Sequence, residues 1–109
     1  MFAPVEFLEL AKTLHTQATK ESCARSAISR AYYAAFLTAR EKSGIAVTSK
    51  DIHGLVLQYC YTYLPVMADD LKGLRRRRNS ADYDLTHTFA SKDSNWAIKT
   101  AEAIIDDLR

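Results

Sequence analysis

A chain of 109 residues, 48% hydrophobic and 26% charged, has the size and balance of one globular domain, which excludes disorder and low complexity. Fifteen basic against thirteen acidic residues leave a formal charge of +2, too little for a protein that grips nucleic acid over its whole surface. The charge is instead local, since Arg75, Arg76, Arg77 and Arg78 hold over a quarter of the basic residues.

The opening stretch, MFAPVEFLEL, has no basic segment ahead of an apolar one, so it does not read as a signal peptide. Pro4 suits the first turn of a helix, where its missing N–H is no loss. Val5, Leu8, Ala11, Leu14 and Ala18 then recur at helical spacing and predict a first helix of about fifteen residues. The next segment, ESCARSAISRAYYAAFLTAREKSG, carries a small-residue stripe of Ala24, Ala27, Ile28, Ala31, Ala35 and Ala39. Alanine at those positions lets neighbouring helices approach closely. Tyr32, Tyr33, Phe36 and Leu37 spread apolar surface around the rest of the cylinder, which predicts a helix in the middle of a bundle. Gly44 ends it in the residue position where a left-handed turn is needed.

Thr48 or Ser49 is expected to cap a third helix, with Asp51 in its first turn. Ile52, Leu55, Val56, Tyr59 and Tyr63 form its expected inner face, leaving Tyr61 for the surface, and Pro65 stops it. The uncharged run here, Gly54 to Ala68, is too short to span a membrane. A fourth helix begins near Pro65 and runs toward the arginines. A last helix follows SKDSNW, with Trp96, Ala97, Ala101, Ile104, Ile105 and Leu108 as its inner stripe. Cys23 and Cys60 stand alone, without metal-ligand spacing, and read as reduced thiols. The expected architecture is an all-α antiparallel bundle of four to five helices, a single domain over 1–109, cytoplasmic and off the membrane.

Successive helical residues turn by about 100°, so four consecutive arginines cannot form one flat strip. Arg75 and Arg78 share a face, Arg76 and Arg77 point elsewhere, and at least one of the four must lie against protein. Arg78 and Asp82 stand at i, i+4, the spacing at which an ion pair meets on a helix. On the second helix Arg30 and Tyr33 lie about one turn apart; Arg30 either lines a groove beside Arg78 or pairs with Asp82 or Asp84. His53, in DIHG, reads as a hydrogen-bonded structural residue rather than a general base. His15 and His87 have no carboxylate or thiol at ligand spacing, so no metal is expected, and no cofactor motif is present.

SRAYYAAF on the central helix, IHG opening the next, and RRNSADYDL two helices later together resemble the HEPN superfamily, in particular its small stand-alone members, from about Ser22 to the end of the chain. The resemblance implies a helical bundle that pairs as a homodimer, with the arginine-bearing segments of two copies facing each other across a cleft. It also implies RNA or nucleotide as ligand, and metal-independent ribonuclease activity in toxin–antitoxin or antiviral defence. The family signature is an Arg, a polar residue and then a His four to six residues on. Arg78 and Asn79 match its start, and Tyr83 stands where the His would be. Transfer of protons during RNA cleavage suits an imidazole near pH 7, whereas a phenol with an ordinary pKa of ~10 stays protonated. Arginine still holds phosphate and tyrosine still stacks on a base, so binding survives this replacement better than catalysis. The resemblance thus implies Arg78, Asn79 and Tyr83 as the catalytic set and Arg30, Tyr33, Arg75 and Asp82 as substrate contacts. Its alternative is a non-catalytic module partnering a nucleotidyltransferase, with Tyr83 as an adenylylation acceptor, or a larger defence protein. The blandest alternative is a helical scaffold whose arginines only tie helices together.

Overall fold

The computed structural model describes residues 1–109 as five helices joined by short connections: α1 (Val5–His15), α2 (Glu21–Ser43), α3 (Ile52–Tyr63), α4 (Pro65–Tyr83) and α5 (Ser91–Leu108). There are no strands, and no helix is long and apolar enough to cross a membrane. The bundle is 37 × 27 × 26 Å.

Helix α2 packs against each of the other four, as its all-round apolar surface predicts. Ala24, Ala27, Ala31, Ala34, Ala35 and Ala39 are fully buried, so its neighbours meet close to backbone. Ile28, Tyr32 and Phe36 supply the bulk between them. Gly44 ends α2 at φ 72°, a left-handed conformation open to glycine at no steric cost, and its N–H returns to the Arg40 carbonyl at 3.1 Å.

Four expectations need correction. Helix α1 stops at His15, eleven residues long, and the chain turns through Thr16–Thr19 before α2. The Thr16 hydroxyl donates to the Thr13 carbonyl at 2.6 Å, the local bonding that lets β-branched hydroxyl residues end helices. Ala18 nonetheless joins the core from that turn. Helix α3 is capped by Asp51 itself, at φ 49°, its carboxylate accepting the Gly54 N–H at 3.3 Å. A Cβ at Gly54 would stand 2.3 Å from that carboxylate, so the glycine makes room for the cap.

The inner face of α3 is also rotated from the expected one. Val56 and Cys60 are fully buried, while Leu55 and Tyr63 are exposed. Nearly every residue of LVLQYCYTYL is apolar, so periodicity alone has no polar side against which to orient the helix. Burial pushes the Cys60 thiol up from its ordinary pKa, in keeping with an inert core residue. Tyr61 lies outside, its hydroxyl donating to Asp69 at 2.8 Å. In α5 the inner stripe is Ser94, Ala97, Ile98, Ala101, Ile104, Ile105 and Leu108. Trp96 is not part of it: the ring lies on the surface, 38% exposed.

Candidate functional site

Helix α4 buries Met67, Ala68, Leu71, Leu74, Arg78 and Ala81. Leu71, Leu74, Arg78 and Ala81 recur at three- and four-residue steps, so Arg78 occupies a core position of an amphipathic helix and is only 8% exposed. Three neighbours make that tolerable. The Asp82 carboxylate lies 3.6 Å from Nη1, and the guanidinium stands 5.3 Å from the ring centroids of both Tyr32 and Tyr33. Its Nε is buried without a hydrogen-bond partner. Such an orphan donor carries a real desolvation cost, so the position is held by the packing around it rather than by complete bonding.

The network widens toward solvent through α2. Ser29 donates to Asp82 at 3.2 Å, and Arg30 reaches the Ser29 hydroxyl at 3.4 Å. The Arg30 guanidinium also lies over Phe7 at 4.9 Å and over Tyr33 at 5.1 Å. Tyr33 is therefore in contact with two cations, Arg30 and Arg78. Arg75, one turn before Arg78, is half-buried on the same side of α4.

His53 completes the cluster from the start of α3. Its Nδ1 lies 2.6 Å from the Tyr32 hydroxyl, and its ring stacks on Phe36 at 4.2 Å. Burial, then the charges of Arg75 and Arg78, hold the imidazole below its usual pKa. Burial raises the Tyr32 phenol well above its ordinary value. The phenol stays protonated and the imidazole neutral, and the two share one hydrogen bond whose direction follows the histidine tautomer. His53 is thus tied into the fold, the structural role its place in DIHG favours.

This arrangement has a pH signature. Unfolding returns the imidazole to about 6.5, so below that pH the unfolded chain takes up a proton that the folded chain resists. The stability held by neutral His53 is complete above 6.5 and declines as pH falls toward the lowered folded value. Urea midpoints measured between about pH 7 and pH 5 are expected to fall for the wild type and to flatten in His53→Gln. Equal slopes in both would contradict it. Glu21 is lowered by the Phe89 N–H and Arg25, and Asp84 by Thr86, so both act in the separate carboxylate range below about 4.5.

The structure thus gathers Arg30, Tyr33, Arg75, Arg78 and Asp82 on one face of α2 and α4. It does not gather the signature residues. Asn79 is exposed, and Tyr83 is 75% exposed at the end of α4. Five residues of helix turn Tyr83 about 140° away from Arg78, so the two point to different sides within one chain. Arg30 makes no ion pair with Asp82 or Asp84; it reaches Asp82 only through Ser29.

A residue that the sequence did not single out sits beside this face. Arg25 pairs with Glu21 at 2.9 Å and donates to the carbonyls of Ala81 at 3.0 Å, Asp84 at 2.9 Å and His87. It lies over Phe89 at 5.0 Å. Its only local signal is the i, i+4 spacing from Glu21; the carbonyls it binds are more than fifty residues away. Compared with protein-family models, curated proteins and solved structures, the chain finds no match in any of the three.

Proposed function

We propose that this chain is a HEPN-type RNA-binding protein acting as a homodimer, with the α2–α4 face turned toward the nucleic acid. The observation that carries this reading is the convergence of three guanidinium groups, Arg30, Arg75 and Arg78, around one tyrosine pair with a single carboxylate, Asp82, among them. Such a face is net positive and aromatic, a combination that suits phosphate and unstacked bases. Within it the roles divide by burial. Arg78 is engaged by its own Asp82 and two rings, so it positions Tyr33 and the α4 backbone rather than gripping phosphate. Arg30 and Arg75 are half-buried and reach the surface, which suits direct contact. With Tyr83 turned away from Arg78 and His53 bonded to Tyr32, binding is favoured over cleavage in the single chain. The homodimer and the setting in toxin–antitoxin or defence systems rest on the family resemblance.

The test combines light scattering with RNA binding in EDTA. A dimer at micromolar concentration is expected, with Arg30→Ala and Arg75→Ala each weakening RNA about fivefold to tenfold and lowering the salt slope by ~0.7. Unchanged affinity in both variants would end this reading. A second reading, a non-catalytic module served by a nucleotidyltransferase, is favoured by one feature, the 75% exposure of Tyr83 at the end of α4. Mass spectrometry of chain isolated from its source would reveal adenylylated Tyr83 under that reading and unmodified chain under the first.

A further inference from the structure

Arg76 and Arg77 lie on the other side of α4 from Arg78 and serve a different place. Together with Ser80, His87, Lys92 and Asp93 they line a cavity of about 530 Å³ between the end of α4 and the start of α5. Arg77 and Ser80 are three residues apart and Arg76 and Ser80 four, so all three side chains come off one side of the helix. The α4–α5 connection is held in shape by Arg25, which binds its carbonyls at Asp84 and His87. That grip fixes His87 in the wall, while Lys92 comes from the first turn of α5. The one acid in the wall, Asp93, is already committed: it accepts the Ala90 N–H at 2.9 Å and pairs with Arg77 at 3.1 Å. Arg76 and Lys92 make no ion pair.

An aromatic ring stands beside the cavity, outside its lining and against Arg77. Trp96, one turn beyond Lys92 on α5, lies under the Arg77 guanidinium at 5.0 Å and remains 38% exposed. Its far edge rests near Gly73, where a Cβ would be only 3.9 Å away, so the indole is seated on α4. A large exposed indole fixed in place by the Asp93-paired Arg77, one helical turn from the unpaired Lys92, offers a stacking surface and charge at neighbouring points. The oriented N–H groups of the first turn of α5 add to the field felt by an anion there.

We infer that this cavity is a second anchoring site for single-stranded nucleic acid, with a phosphodiester held by Arg76 and Lys92 and the adjoining base stacked on Trp96. It stands on residues separate from the α2–α4 face and needs neither that face nor a dimer. The arrangement selects a single strand, because a base within a duplex has no free face to give the indole.

Trp96 is the chain's one tryptophan, so its fluorescence reports the event directly. The probe is a twelve-nucleotide oligouridylate, with inorganic polyphosphate as the anion lacking bases and anisotropy of a labelled oligonucleotide as an independent measure of binding. The oligonucleotide is expected to quench Trp96, and polyphosphate to leave it unchanged. Arg76→Ala with Lys92→Ala is expected to weaken the oligonucleotide about tenfold and reduce its salt slope by ~1.4, two phosphate contacts at ~0.7 each. Trp96→Ala is expected to cost about tenfold and Trp96→Phe much less, since a phenyl ring still stacks. Both cations are exposed and unpaired, so the double variant leaves the fold intact, which circular dichroism verifies. Equal quenching by polyphosphate would overturn the inference, as would binding without quenching that the double variant leaves unchanged. If Arg75→Ala alone removes binding, the inference fails and the α2–α4 reading stands. If only the Arg76 and Lys92 double variant removes it, the cavity stands and the α2–α4 reading fails. If no variant or probe gives a signal, both readings fail.

Discussion

Arg78→Ala is expected to destabilise the fold by about 3 kcal/mol, whereas Arg78→Met is expected to stay within about 1 kcal/mol of the wild type. Alanine removes a long side chain from a core position of α4 and leaves a gap against Tyr32 and Tyr33. It also leaves Asp82 without its cation, although that carboxylate is partly exposed and can turn to water. Methionine refills the gap and removes the buried Nε that has no partner. Urea denaturation of the two variants decides the matter. If alanine costs less than about 1 kcal/mol, the guanidinium is not a core element. It would then be available to hold phosphate, and the grip assigned to Arg30 and Arg75 would pass to Arg78. Oligonucleotide affinity supplies the second readout: Arg78→Met is expected to keep most of it, and Arg75→Ala is expected to weaken it about fivefold to tenfold.

Arg25→Ala is the second large effect, at about 2–3 kcal/mol, with Arg25→Lys restoring less than half. The guanidinium reaches Glu21, four carbonyls of the α4 end and the following turn, and the Phe89 ring. Helix ends carry carbonyls with no partner inside the helix, and here a residue of α2 supplies the missing donors. A lysine has the charge but not the planar fork, so it serves one or two of these acceptors at a time. Glu21 adds a separate hold by accepting the Phe89 N–H at 3.2 Å. The loss should therefore be local as well as global. Amide exchange of Asp84–Ala90 is expected to accelerate in Arg25→Ala more than that of α1 or α3. Unchanged exchange there would mean that Glu21 and Phe89 hold the turn without help. Since this turn forms one wall of the α4–α5 cavity, Arg25→Ala should also weaken Trp96 quenching by oligonucleotide.

These two arginines divide what could be read from the chain. Arg78 was legible in part: at least one of the four arginines had to lie against protein, and Asp82 four residues on was its natural partner. So were the central place of α2, the break at Leu64–Pro65 and the left-handed turn at Gly44, because glycine, proline and a continuous alanine stripe each act through local sterics. The face of α3 was not, since an apolar run has no phase. Nor was Trp96 recognisable as a surface ring, because hydrophobic spacing ranks it with the core and only the seat between Gly73 and Arg77 keeps it outside.

Local chemistry thus determined which segments became helices, where α2 and α3 stopped and which way each of the four arginines pointed around α4. Only the packed bundle decided the distant partners: two tyrosines for Arg78, a tryptophan and a helix cap for Arg77, and far-off carbonyls for Arg25. The reason is one of range. Backbone sterics and helical period act over a few residues, while a guanidinium's partner is whatever the fold brings within about 3 Å of its fork.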